Sequence, residues 1–264
     1  MKYILSVGSL GLLVVATLGA HLRTSAQVAQ GDRAPVVVEL FTSEGCSSCP
    51  PVDALLSQLE ATQPIPGAQV IGLEEHVDYW NQQGWMDPYS SAEWTARQQE
   101  YVARLKDKGP YTPQMIVDGE KELVGNNPME VQQTIEQAAQ AQKVQVSIAA
   151  DAGVAGDVER LEVRVVNSGS AAAQEKADVW LAVTEDGLHT DVKAGENKGR
   201  NLEHASIVRS FQKLGSISGS GSAPFVANPQ VKLRSNWKKE NLHIVVFVQG
   251  KKTWRILGAA AKAV

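Results

Sequence analysis

The sequence predicts an α/β domain over residues 34–143, followed by an antiparallel β-sandwich domain over residues 144–264. Hydrophobic periodicity in the first part switches between helical and strand spacing, as in a βαβ arrangement, whereas the second part keeps to alternation. The length of 264 residues also exceeds the roughly 100–200 residues of a usual single domain. We therefore expect two domains.

The first domain begins with an apolar, β-branched run, Val36–Phe41, typical of a buried parallel strand. A helix follows from Cys49 to Leu59, and Ala68–Glu74 predicts the next strand. The other predicted elements are a helix over Ala92–Lys106, a hairpin of Gln114–Val117 and Lys121–Val124 around Asp118-Gly119, and a helix over Met129–Ala141.

The second domain is predicted from short alternating strands separated by Gly, Ser and Asn turns, a pattern typical of a β-sandwich. The predicted strands are Val144–Ile148, Leu161–Val165, Val179–Val183, Ser206–Gln212, Gln230–Leu233, His243–Gln249 and Thr253–Ala259.

The first 26 residues are typical of a signal peptide. Lys2 precedes an apolar run from Ile4 to Leu18, and small residues ending at Ala26 offer a cleavage site. Cleavage after Ala20, or retention as an uncleaved anchor, are the alternatives. We expect a periplasmic or secreted protein with no stable membrane insertion after cleavage. The net charge of −4 provides no basic field for nucleic acid.

Cys46 and Cys49 are the only cysteines of the chain, and they follow a predicted strand and open a predicted helix. A disulfide at this spacing closes too short a loop to stabilise a fold much, so redox chemistry is favoured. The helix N-terminus would stabilise a thiolate at Cys46, which attacks, and Cys49 would resolve the mixed disulfide. The pair predicts a thiol-disulfide oxidoreductase that needs no other cofactor and acts on exported protein thiols or a redox partner. A structural or inactive disulfide is the alternative.

The cysteine pair after a strand, together with Thr112-Pro113 before the hairpin, resembles the thioredoxin superfamily. The resemblance implies a thioredoxin-like first domain in which Pro113 is cis and faces the cysteines. It also implies that the backbone of Thr112 pairs with an extended substrate. Without the resemblance a trans bond would be expected, since only about 5–6% of X–Pro bonds are cis.

A closer resemblance is carried by the run Glu39–Pro51, with His76–Trp80 and Tyr111–Gln114. These segments are similar to an exported bacterial family catalogued as domain of unknown function 1223. Gly195–Arg200 extends the similarity over nearly the whole mature chain. The chain differs from most thioredoxins in having Gly45, not tryptophan, before the first cysteine, which implies that this aromatic shield is absent.

Glu39 is the one acid inside the first predicted strand. A buried carboxyl group there would have a raised pKa, suited to accepting the proton of Cys49. The alternative is that Glu39 lies at a polar edge or pairs with a lysine.

His76 and Asp78 alternate at a strand end, which predicts that their side chains share one face and form a hydrogen bond. Together with Cys46 and Cys49, His76 would also suit copper(I), which gives a copper-binding or copper-delivery module as an alternative function. Trp80 and its aromatic neighbours would line a groove for a peptide segment. A non-catalytic binding protein is the third hypothesis.

Overall fold

The computed structural model describes Met1 and residues 33–106, 108–150, 157–166, 175–218 and 223–264. Apart from Met1, the predicted signal peptide lies outside these residues. The described helices are α1 (Pro50–Thr62), α2 (Ala92–Leu105) and α3 (Pro128–Ala139). The described strands are β1 (Ala34–Thr42), β2 (Ala68–His76), β3 (Gln114–Val117), β4 (Lys121–Leu123), β5 (Gln145–Ala150), β6 (Val158–Val166), β7 (Ala177–Glu185), β8 (Leu188–Asp191), β9 (Asn201–His204), β10 (Ile207–Ile217), β11 (Phe225–Ala227), β12 (Gln230–Lys232), β13 (Leu242–Gly250) and β14 (Ile256–Ala263). No helix among them is long and apolar enough to cross a membrane.

The central sheet has eight strands in the order β14-β13-β7-β10-β2-β1-β3-β4. Strands β1 and β2 are parallel along their whole length, from Ala34 opposite Ala68 to Thr42 opposite His76. On the far side of β2, strand β10 joins through Ile207 opposite Glu74. Strands from both predicted domains therefore belong to one sheet.

A second sheet, built from β5, β6, β11 and β12, packs on the extended part of the central sheet. Leu161 and Val163 of β6 share an apolar cluster with Leu181 of β7 and Val246 of β13. The central-sheet strands in this packing are continuous with β2, and the described residues from Arg33 onward belong to one compact unit, so the β-sandwich as a separate domain stays a prediction. The chain is mixed α/β and mostly strand. The domain boundary near residue 143 stays a prediction and does not coincide with a break in the sheet.

Both faces of β1 are buried. Val36, Val38 and Leu40 belong to the apolar cluster that contains the buried faces of α1 and α3. Val37 points to the opposite face, in the cluster that contains Trp94 of α2. Because both faces are apolar, the strand reads as a continuous hydrophobic run in the sequence.

Two of the differences between the predicted elements and the structure have a local cause. The strand expected from Thr253 begins at Ile256 instead, because Trp254 has a left-handed backbone with φ of 62°. The hairpin β8–β9, which the sequence did not predict, consists of strands of only four residues each. Strands this short carry too little alternation to be recognised.

Gly119, in the turn Asp118-Gly119, and Gly67 should differ in how much stability the protein loses when each is replaced by alanine. Gly119 (φ +68°) and Gly67 (φ +75°) share the left-handed backbone, but a Cβ on Gly119 would lie 2.1 Å from the Trp254 carbonyl oxygen, whereas Gly67 has nothing within 4 Å. We expect Gly119→Ala to destabilise the protein by about 3 kcal/mol and Gly67→Ala by about 1 kcal/mol, since only the first adds a steric clash to the backbone strain. Urea unfolding of both variants measures the difference. Equal losses would contradict it.

Candidate functional site

Cys46 and Cys49 form a disulfide in the loop that leads from the end of β1 to the start of α1. Their Cα atoms are 5.5 Å apart, and both residues are buried. Prolines occupy the first two positions of α1, so the first amides of the helix are those of Val52 and Asp53. These amides donate to the Cys49 carbonyl at 2.8 and 3.1 Å. The helix-start donors expected to stabilise a Cys46 thiolate are therefore aimed at a backbone oxygen.

A loop from the second half of the chain holds the backbone on both sides of Cys46. The buried side-chain amide of Asn197 donates to the backbone carbonyls of Glu44 and Cys46, at 2.8 and 2.9 Å. Arg200 fixes this amide by donating to its Oδ1 at 2.8 Å. Glu196 accepts the Ser47 backbone amide at 3.0 Å, and hydrogen bonding by the Ser47 side chain, followed by this amide, lowers the pKa of Glu196. The segment singled out in the sequence as Gly195–Arg200 is thus part of the site.

Trp80, Thr112 and Gly45 lie together beside the cysteines. The Trp80 indole donates to the Thr112 hydroxyl at 2.8 Å, and a Cβ on Gly45 would be 3.2 Å from Cβ of Trp80. Trp80 therefore packs against Gly45, the residue before the first cysteine. The Thr112–Pro113 peptide bond is cis, as the superfamily resemblance implies.

Glu39 does not point toward α1. Alternation along β1 directs its side chain to the α2 side, opposite Val38 and Leu40. There its carboxylate accepts from Nε of Arg97 at 2.5 Å and from the Tyr101 hydroxyl. Glu39 is fully buried and ion-paired, as expected of a buried acid. Its partner is an arginine and not a lysine. The structure thus does not bring Glu39 to Cys49.

Asp53 is the acid of α1 that lies nearer in sequence to Cys49. It is buried, four residues after Cys49, and its Oδ1 accepts from the Thr42 hydroxyl at 2.7 Å. Residues four apart lie on one side of a helix, so the carboxyl group is one turn from Cys49. Burial, followed by the charge of Glu74, raises the pKa of Asp53 to about 8.

His76 lies in a buried network of carboxylates beside this acid. Its Nδ1 is 2.7 Å from Oδ2 of Asp87, and its Nε2 is 2.9 Å from Oε1 of Glu74. Burial opposes protonation, but Asp87 and Glu74 raise the pKa of His76 well above its usual value. The expected His76–Asp78 pair is absent, because Asp78 lies past the end of β2 and accepts from Thr95 at 2.6 Å.

His204 of β9 completes the network. Its Nδ1 is 3.0 Å from Oε1 of Glu74, and its Nε2 is 3.1 Å from Oε1 of Glu44. Burial alone would lower the pKa of His204, but hydrogen bonds to Glu44 and Glu74 raise it to about 9. The copper(I) alternative requires His76 to lie with the two cysteines. Both ring nitrogens of His76 face carboxylates instead, the two cysteines are bonded to each other, and no described contact joins His76 to them.

The family model for Protein of unknown function (DUF1223) matches residues 37–249. The chain belongs to the DUF1223 family. The matched range includes the cysteine pair, Trp80, Thr112-Pro113 and the Asn197 loop. No curated protein matches the chain.

Two solved structures resemble this DUF1223 chain over most of its length. A protein from Agrobacterium tumefaciens, determined by X-ray crystallography, has 28% sequence identity and a TM-score of 0.64, over 87% of this chain and 94% of its own. HBP35 of Porphyromonas gingivalis has 15% identity and a TM-score of 0.67, over 88% of this chain and 76% of its own. The second likeness concerns the fold alone.

Asp53, Glu74 and His204 of this DUF1223 chain were not among the residues predicted from the sequence. Asp53 carried a signal, because it is three residues before Leu56 and therefore lies on the apolar helix face. Asn197 lies in the segment Gly195–Arg200 that carried the family resemblance. Its contact with Glu44 and that of His204 with Glu74 had no local signal, because each spans more than a hundred residues.

Proposed function

We propose that this DUF1223 protein is a periplasmic thiol-disulfide oxidoreductase, with a thioredoxin-like part over residues 34–143 that carries the Cys46–Cys49 pair. The observation that carries the proposal is the disulfide at the start of α1, at the carboxyl end of a central parallel strand. This is the setting in which a C-x-x-C pair has redox meaning. The cis Thr112–Pro113 bond supports the same assignment.

The proposed reaction is two successive thiol-disulfide exchanges. The Cys46 thiolate attacks one sulfur of a substrate disulfide, forms a mixed disulfide and releases the other substrate sulfur as a thiolate, which takes up a proton. Cys49 gives its proton to the ionised Asp53 carboxylate and attacks Sγ of Cys46. The Cys46–Cys49 bond closes, and the second substrate thiolate leaves. Two electrons pass from the protein dithiol to the substrate, and the reverse sequence oxidises a substrate dithiol.

The substrate class follows from what surrounds the cysteines. Trp80 presents a partly exposed aromatic ring next to Gly45 and is held by Thr112. An apolar ring with one polar edge suits an extended peptide segment. We propose that Trp80, Thr112 and Pro113 receive such a segment of an exported protein, while the Asn197 loop keeps the Cys46 backbone in place.

The test is a dithiothreitol-driven insulin reduction assay. Cys46→Ser should reduce the protein-dependent rate at least 100-fold, since exchange requires the attacking thiolate. Cys49→Ser should accumulate a mixed disulfide, visible by mass spectrometry, because the resolving thiol is missing. Ser57→Ala, on the same helix and away from the cysteines, is the control and should keep the wild-type rate.

Two results would overturn the proposal. One is a Cys46→Ser rate equal to that of the wild type. The other is a Cys46–Cys49 reduction potential well below about −300 mV, which is typical of structural disulfides and would favour a non-catalytic binding protein.

A further inference from the structure

We propose that Glu74, His76 and His204 form a binding site for one divalent transition-metal ion, beyond the proposed redox function. Oε1 of Glu74 lies 2.9 Å from Nε2 of His76 and 3.0 Å from Nδ1 of His204. The ligand atoms of the three residues all lie within 4.8 Å of one another, and all three residues are buried. Ligands around a tetrahedral ion at about 2.0–2.1 Å stand about 3.4 Å apart. Oε1 of Glu74 needs to move away from each of the two nitrogens by only about 0.4–0.5 Å to reach this spacing.

The second nitrogen of each histidine is already fixed by a carboxylate. Nδ1 of His76 faces Oδ2 of Asp87 at 2.7 Å, and Nε2 of His204 faces Oε1 of Glu44 at 3.1 Å. This leaves Nε2 of His76 and Nδ1 of His204 turned toward Glu74. A carboxylate behind each ligating imidazole is the usual outer arrangement of a metal site, where it sets the tautomer and the ring orientation.

The two outer carboxylates are themselves held in place. Asp87 accepts the Glu44 amide at 2.8 Å and the Tyr89 amide at 2.9 Å. Glu44 accepts the Trp85 indole at 2.7 Å through its other oxygen. Each histidine is therefore oriented by an acid that cannot easily turn away, which is how a ligand set is prepared before its ion arrives.

Charge also fits one divalent ion. Two ring nitrogens now face the single Oε1 atom of Glu74, and the two rings are only 5.0 Å apart between centroids. Three carboxyl groups, those of Glu44, Glu74 and Asp87, contact the two imidazoles, so a divalent cation bound there would have acidic partners close by. Two imidazoles and one carboxylate suit Zn²⁺, Fe²⁺, Co²⁺ or Mn²⁺.

A cleft borders the proposed site on the His204 side. His204 borders a cleft of about 770 Å³ that is also lined by Glu60, Asp186 and Glu203. These acids would attract a cation to the cleft. Tyr89 packs edge-on to both imidazoles, with ring centroids 5.6 Å from each, and shields the opposite side.

The test uses untagged protein with the disulfide intact, so that the cysteines cannot bind metal. After chelator treatment and dialysis, Zn²⁺ is added and bound metal per chain is measured by mass spectrometry after gel filtration. We expect one Zn²⁺ per chain. Replacing Zn²⁺ by Co²⁺ should give visible absorption of imidazole and carboxylate ligation.

The variants separate this site from surface binding. His204→Gln should weaken Zn²⁺ binding at least 100-fold, and Asp87→Asn, which removes a carboxylate behind a ligand, about 10- to 100-fold. His243→Gln is the matched control, because His243 lines the same cleft but is partly exposed and outside the ligand set. Wild-type protein that binds no Zn²⁺, or an equal loss in His243→Gln and His204→Gln, would overturn the proposal. Asp87→Asn keeps it testable if His204→Gln does not fold. These readouts require no redox activity, so either proposal can fail alone.

Discussion

Arg97→Met should destabilise the protein by about 3–5 kcal/mol at neutral pH, the cost of leaving a buried charge without its partner. Arg97 is the cation between two buried acids: its Nε is 2.5 Å from Oε2 of Glu39 and 3.5 Å from Oε1 of Glu75. Both acids are fully buried. Burial and the charge of Glu39 raise the pKa of Glu75 well above its usual value, so Arg97 chiefly balances Glu39.

The stability that Arg97→Met loses should depend on pH. Without the cation, the buried Glu39 carboxylate has no opposite charge to offset its desolvation, and this cost falls on the ionised form alone, which becomes more prevalent in the unfolded chain as pH rises. We therefore expect the deficit to be largest near pH 8 and to shrink toward pH 5, as measured by urea unfolding across that range.

Arg104→Met is the matched control on the same helix. Arg104 is 37% exposed, lies 3.7 Å from Glu100 and stacks over Trp254 at 4.4 Å. Exposed ion pairs and cation–π contacts contribute about 1 kcal/mol or less. Adding Glu39→Gln to Arg97→Met should restore part of the lost stability, since both partners are then removed. An Arg97→Met loss no larger than that of Arg104→Met would show that the buried pair does not stabilise the fold.

Asp53→Asn should slow the resolving step by about 10- to 100-fold, the lower range of what a positioned base contributes. The asparagine keeps an oxygen for the Thr42 hydroxyl but cannot take the Cys49 proton. Rapid-mixing measurement of mixed-disulfide decay, in chelator-treated protein, gives the rate. Ser57→Ala, one turn further along α1, is the control and should decay at the wild-type rate.

The pH profile distinguishes a proton acceptor from a structural residue. With a pKa of about 8, wild-type Asp53 is mostly protonated at neutral pH, so the decay rate should rise with pH through about 8. Asp53→Asn should lack this rise. Glu74, His76 and His204 are the charged groups that act on Asp53, and all three remain in the variant.

Asp53→Asn should slow the resolving step without lowering the stability of the protein at high pH. Burial keeps Asp53 protonated while the unfolded chain ionises near pH 3.8, so this residue costs increasing stability as pH rises from about 4 to about 8. Asp53→Asn should therefore be at least as stable as the wild type above pH 8. A variant that is less stable there, with an unchanged pH profile of the rate, would contradict the assigned role.

The sequence alone predicted the local order of strands and helices, the position of the cysteine pair and its place before α1. These depend on hydrophobic period and turn residues close together in the chain, which a single sequence displays. Trp80 was a candidate because aromatic residues cluster around it in the sequence, whereas Thr112-Pro113 became candidates through the resemblance to the thioredoxin superfamily. The resemblance to DUF1223, carried by short motifs, agrees with the family match over residues 37–249.

Tertiary structure decided what surrounds the cysteines. Glu39 faces Arg97. The sequence could not specify this orientation, because both faces of β1 are apolar and alternation does not tell which face α1 covers. Asn197 contacts the Cys46 backbone from 151 positions away, and His204 meets Glu74 from 130 positions away. These contacts exist because β10 joins the sheet at β2. Pairing between distant strands is set by the packing of the whole chain, so the local pattern around Cys46 could not specify it.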